Sequence, residues 1–165
     1  MDGVAKTYAM TGWRIGWSIA PPALAAGIAK FQTQLCSNVN NVAQSAALAA
    51  LTGPQDAVAT MRAAFDRRRQ VAVDMLRAID GLEVVEPEGA FYVYPSVRGL
   101  IGRTVGGRPI TSSLELADAL LDVAKVAVVP GEGFGSEATF RLSYALADAD
   151  LEEGITRIAE AVRAG

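Results

Sequence analysis

The stretch Lys6–Trp17, "KTYAMTGWRIGW", decides how the chain is read. It holds a lysine and, eight residues on, an arginine, separated by Thr, Tyr, Met and Trp in a chain otherwise rich in alanine and valine. Trp13–Ala20, "WRIGWSIA", reads as a buried strand. Lys6 then stands just ahead of a buried strand, among small and aromatic neighbours. Partial desolvation there lowers an amine's pKa and makes it a nucleophile toward carbonyls. A solvated lysine is the alternative. Arg14 on such a strand needs an anionic partner. A lysine, the Thr11 hydroxyl and an arginine around one turn suit a phosphate or carboxylate ligand. Pairing with a core carboxylate accounts for Arg14 equally well.

The wider composition narrows the chemistry. The chain has 165 residues, 51% hydrophobic and 20% charged, with a formal net charge of −3, which fits a soluble globular protein of one domain or slightly more. No clustered basic surface marks a nucleic-acid binder. The densest basic run, Arg67-Arg68-Arg69, falls in a helical pattern between Asp66 and Asp74 and reads as a solvated face. Cys36 is the single cysteine, so no intrachain disulfide forms; this suggests an intracellular chain, with Cys36 as a small buried hydrophobe. No apolar run is long enough to span a membrane, and the first residues lack the order of a signal peptide. Histidine is absent. That excludes Ser-His-Asp, Cys-His and His-ligated zinc sites within the chain, and leaves proton transfer to Lys, Tyr, Asp or Glu.

Helical spacing of Leu24, Ile28, Phe31 and Leu35 predicts a helix over Pro22–Leu35, opened by Pro21-Pro22. A polar loop, Ser37–Asn41, leads to a small-residue helix over Val42–Leu51. A long amphipathic helix is expected over Asp56–Ile79, ended by Gly81. Glu83–Glu86 and Phe91–Pro95 read as short strands joined by Pro87-Glu88-Gly89. "RGLIGRTVGGRP" reads as a mobile Gly-rich loop. Ser112 and Glu115 form a capping box for a helix over Leu114–Ala124. "VAVVP" and "FRLSYAL" are strands, and Asp148 caps a last helix with Leu151, Ile155, Ile158 and Val162 on one side. The order is that of a mixed α/β chain whose second part is a compact α+β layer. There is little room for an element before the motif, so the chain is expected to begin mid-architecture.

Two further places could carry chemistry. In "FRLSYAL", alternation sets Phe140, Leu142 and Tyr144 on one face and Arg141, Ser143 and Ala145 on the other. An arginine beside a serine on an interior strand suits a bidentate grip on a carboxylate, and a salt bridge to a nearby glutamate suits it as well. "PGEGFG", Pro130–Gly135, departs from the dinucleotide fingerprint and reads as a tight loop. In "PEGAFYVYP" the turn sends Phe91 and Tyr92 inward. Phe91 and Tyr92 are expected to be core aromatics. Neither a Walker-type loop nor a metal-ligand cluster is present in the sequence.

"KTYAMTGWRIGW" resembles the pyridoxal-phosphate lysine region of class I (fold type I) aminotransferases, and within them the bacterial aspartate-aminotransferase-like subgroup. Lys6, Thr11, Gly12, Trp13, Arg14 and Gly16 fall in register with that pattern, and Asp2 replaces its usual asparagine. "AQSAALAAL", "PEGAFYVYP", "VAVVPGEGFG" and "FRLSYA" match in order, so the resemblance covers essentially the whole chain. It implies that Lys6 is the Schiff-base lysine and the base that moves the substrate α-proton. It implies that Arg14 binds the cofactor phosphate, that Arg141 clamps the substrate α-carboxylate, and that Phe91 and Tyr92 line the cleft. The implied fold is the C-terminal portion of the enzyme: residues 1–53 end the large cofactor domain, and residues 54–165 form a connecting helix and the small domain. The implied activity is transamination between an aspartate-like amino acid and a 2-oxo acid such as 2-oxoglutarate, by a cytoplasmic homodimer. The family's groups that hold the pyridine ring precede this motif, so the chain alone is expected to be inactive or impaired. Two other readings share these residues: a non-catalytic ligand-sensing module of a transcriptional regulator, and a pyridoxal-phosphate lyase or synthase on the same fold.

Overall fold

The computed structural model describes all of Met1–Gly165. The chain separates into two compact units, Met1–Arg62 and Ala63–Gly165.

In the first unit, β1 (Asp2–Gly3) pairs antiparallel with β2 (Gly16–Trp17). Between them lie the one-turn helix α1 (Val4–Thr7) and a 3₁₀ turn at Thr11–Trp13. The expected strand over Trp13–Ala20 is therefore only two residues long, and it is not buried. The Trp13 N–H donates to the Met10 carbonyl at 3.2 Å, and Arg14 sits in the left-handed region at φ 52°, which breaks an extended run. Helix α2 spans Pro22–Leu35 as its spacing predicts, with proline in its first turn. Helix α3 spans Asn41–Thr52, and Asn40 caps it by accepting from the Ala43 N–H at 3.0 Å. Little of this unit is buried: Val4, Ala43 and Ala47 are, whereas Leu24, Phe31, Leu35 and Leu48 are exposed. Cys36 is exposed too, correcting the expectation of a buried thiol; it follows α2 directly, as its C-terminal cap.

Helix α4 (Asp56–Arg77) begins in the first unit and ends in the second. In the second unit Ala72, Val73, Leu76 and Ile79 enter one continuous core with Val93, Leu100, Leu116, Leu120, Phe140 and Tyr144. A three-stranded antiparallel sheet has the order β3 (Tyr92–Val93), β7 (Phe140–Ser143), β6 (Val129–Pro130). Its register sets Tyr92 opposite Ser143 and Val129 opposite Arg141. Glu83 joins by a single bridge to Ser96, so the expected strand over Glu83–Glu86 is reduced to one residue. Helix α6 (Asp148–Arg163) closes the core with Leu151, Ile155 and Ile158, all buried.

The Gly-rich stretch is ordered rather than loose. β4 (Thr104–Val105) and β5 (Arg108–Pro109) form a hairpin whose turn residues, Gly106 and Gly107, take φ of 55° and 80°. Two consecutive left-handed residues are what a tight hairpin demands, and glycine supplies them without steric cost. Helix α5 (Ser113–Ala119) continues as a π turn to Ala124 and stops at left-handed Lys125. Ser112 caps α5 through the Glu115 N–H at 3.2 Å. The Glu115 carboxylate reaches back one residue further than the usual box, accepting from the Thr111 N–H and hydroxyl at 2.7 and 2.8 Å.

Asp148 does not cap α6 by a side-chain bond to its backbone. It lies in the first turn and accepts from Arg67 at 2.7 Å and from Arg68 at 2.5 Å. Arg69 pairs with both Asp66 and Glu86. The arginine run is thus an ion-pair network with Arg68 and Arg69 half-buried, not a freely solvated face.

Candidate functional site

The first unit carries the amine and one of the two arginines singled out in the sequence. Lys6 lies in α1, anchored by fully buried Val4, and is itself exposed. The expected desolvation is absent because no buried strand follows it. Its carbonyl accepts from the Ala9 N–H at 3.0 Å, turning the chain toward Thr11. Arg14 is also exposed. One of its terminal N–H groups donates to the Thr11 carbonyl at 3.0 Å, and it takes part in no ion pair. The partnered core arginine considered as an alternative is therefore ruled out. Its left-handed backbone, φ 52°, costs a non-glycine residue about 1–3 kcal/mol. Gly12, Trp13, Arg14, Asn38 and Asn40 line an open groove of about 780 Å³.

Arg141 presents the opposite case. It lies on central strand β7, half-buried, while Phe140, Leu142 and Tyr144 point into the core, as the alternation predicts. Three arginines in the chain escape full exposure: Arg68, Arg69 and Arg141. The first two are bound to carboxylates; Arg141 has neither an ion pair nor a hydrogen-bonded partner. The salt bridge to a glutamate is thereby excluded. Its guanidinium carbon sits 4.5 Å from the ring centroid of Tyr92 and 4.5 Å from that of Phe134. Tyr92 is on β3 and Phe134 follows β6, so the rings come from the two neighbours of β7. Phe91 is half-buried beside Tyr92, with centroids 4.5 Å apart, and stacks on Phe65 at 6.0 Å.

Phe134 is about half exposed, 51%, with its ring against Arg141. The pairing has no local signal in the sequence, because it depends on the strand order β3, β7, β6.

The residues present suit pyridoxal phosphate. A primary amine and an arginine with open donors lie on one short turn-rich segment, and the groove at Arg14 is wide enough for a phosphate ester. No group of His, Cys, Asp and Glu is arranged to hold a metal ion. No helix is long and apolar enough to cross a membrane.

Comparison with known proteins finds matches over nearly the whole chain. A family profile described as aminotransferase class I and II matches residues 1–158. Aspartate aminotransferase of Streptomyces avermitilis is 55% identical over 158 residues, covering 96% of this chain and 39% of that protein. Aspartate/prephenate aminotransferase of Cereibacter sphaeroides is 49% identical, covering 95% of this chain and 40% of that protein. The crystal structure of the Rhizobium meliloti aspartate aminotransferase superposes with a TM-score of 0.93 at 43% identity, covering 98% of this chain and 40% of the other. The chain therefore spans about 40% of the length of the relatives it matches. With a matching profile over nearly its full length, the chain belongs to the aminotransferase class I and II family.

Proposed function

We propose that this chain supplies the lysine turn and the substrate-carboxylate arginine of a pyridoxal-phosphate-dependent transaminase. The enzyme would have its relatives' full length and act on an aspartate-like amino acid and a 2-oxo acid such as 2-oxoglutarate. Residues 1–53 end the large cofactor domain, and residues 54–165 are a connecting helix and small domain. A cytoplasmic homodimer is the assembly this reading carries. The observation behind it is Arg141: a half-buried guanidinium with no protein anion, flanked by two rings on a central strand. Such a group is the expected counter-charge for a ligand carboxylate.

When bound, pyridoxal phosphate supplies an electron sink for the substrate α-carbon. This chain's residues do the rest. The Arg14 guanidinium would hold the cofactor phosphate. Lys6 Nζ would hold the cofactor's aldehyde end, and as a primary amine it would take the proton from the substrate Cα and return it. With no histidine in the chain, proton transfer by its own residues falls to Lys, Tyr, Asp or Glu, and this reading assigns it to Lys6. Arg141 grips the α-carboxylate, and Phe91 forms part of the apolar wall beside it.

The test is transfer of ¹⁵N from aspartate to 2-oxoglutarate, measured for the 165 residues and for a polypeptide extended to the relatives' length. The extended enzyme is expected to turn over. Lys6→Ala should cut kcat by more than about a thousandfold, on the scale of losing an acid–base group that is also the nucleophile. The isolated chain should be slow. A Lys6→Ala enzyme of undiminished rate would refute the assignment.

A further inference from the structure

The reading of Arg141 as a carboxylate grip leaves open what holds an unpaired guanidinium in one orientation. We infer that Phe134 and Tyr92 are positioning residues. Flanking the guanidinium with two ring faces, they direct its N–H edge to a planar carboxylate ligand. This inference rests on the proposed carboxylate role of Arg141.

An arginine normally spends several rotatable bonds of entropy on each contact it makes. Here the guanidinium carbon lies over both rings at 4.5 Å. A cation over an aromatic face is attracted to the ring's negative face, and this restrains the plane without consuming any N–H donor. A carboxylate partner would also have fixed the arginine, but it would have used the donors a ligand requires.

Phe134 is held despite its exposure. Its ring meets Tyr94 edge-on at 6.2 Å, and the Tyr94 hydroxyl donates to the Gly131 carbonyl at 3.3 Å. The Gly131 N–H donates to the Thr139 carbonyl at 2.8 Å. A Cβ at Gly131 would stand 1.9 Å from the Thr139 hydroxyl oxygen, so only glycine lets the loop lie this close. The next residue, Glu132, accepts from the Ser113 hydroxyl at 2.5 Å, and Ser113 is fully buried at the start of α5. The Pro130–Gly135 loop is thus tied to β7 and α5, and it delivers one exposed ring to one arginine.

The experiment is an NMR titration of the 165-residue chain with sodium succinate, following the Arg141 Nε–H signal and the rate of guanidinium rotation. Wild type and Phe134→Tyr, which keeps the ring, should bind alike and show slow rotation. Phe134→Leu keeps bulk but loses the ring face; rotation should quicken and affinity fall about three- to tenfold. Tyr92→Leu should do the same and serves if Phe134→Leu fails to fold, as judged from the amide spectrum. Arg141→Lys should abolish the response. If Arg141→Lys abolishes binding while both leucine variants bind and rotate as wild type, the positioning role is overturned and the carboxylate reading stands. If wild type does not bind, or Arg141→Lys binds as well as wild type, both fall.

Discussion

Met1–Arg62 and Ala63–Gly165 use similar apolar spacing to different ends. In α2 the stripe Leu24, Ile28, Phe31 and Leu35 is exposed at every position. In α6 the stripe Leu151, Ile155 and Ile158 is exposed by no more than 2%. Helical periodicity shows that a face is apolar but not what will cover it. The second unit covers its own faces with sheet, helices and hairpin. The first holds three buried apolar residues and leaves the others half-buried or exposed. The two arginines follow the same division: Arg14 stands on an open turn, and Arg141 is built into a sheet.

The largest expected effect contrasts the two stripes directly. Ile155→Ala or Phe140→Ala should destabilise the chain by about 2–5 kcal/mol in urea unfolding, from lost burial plus the cavity left behind. Leu24→Ala and Phe31→Ala should stay within about 0.5 kcal/mol, as surface changes do. Comparable losses at both stripes would break the contrast. Next comes Gly131→Ala, where a methyl meets Thr139 and Ser136 and should cost about 1–3 kcal/mol. Ser112→Ala removes the cap of α5 and should cost about 1 kcal/mol.

Acid sensitivity sharpens the same comparison within the second unit. Hydrogen bonds from Arg68 and then Arg67 hold the Asp148 carboxyl below its ordinary value, and Arg69 does the same to Glu86. A carboxyl whose folded value is depressed adds stability above its unfolded value, roughly pH 4, and that share is lost as pH falls through the folded value. The urea midpoint should therefore drop from pH 5 to pH 2, and Asp148→Asn should shrink the drop. An unchanged pH profile in Asp148→Asn would remove this pair from the account. The smallest effect is kinetic: exposed Cys36 should react with a thiol reagent without denaturant.

What the sequence disclosed depends on how local the signal was. The Pro22–Leu35 helix, the Ser112 cap and the two faces of β7 come from spacing and short-range chemistry, and the structure keeps them. The buried strand after Trp13 fails because left-handed Arg14 overrides the β propensity of its neighbours. The hairpin at Gly106-Gly107 was hidden in a stretch that composition describes only as glycine-rich. Asp148 looked like a cap, and its true partners lie some eighty positions earlier in the chain. Arg141 was legible as an unusual strand arginine, but not the Phe134 and Tyr92 flanks, which depend on sheet order.

Reduction of the pyridoxal-phosphate-treated chain with borohydride, followed by peptide mapping, tests the account most directly. Lys6, Lys30 and Lys125 are the only lysines, so each label has one address. Saturable label confined to Lys6 is expected, with markedly weaker labelling in Arg14→Ala. Label spread over Lys30 and Lys125, or a Lys6 label indifferent to Arg14→Ala, would contradict it.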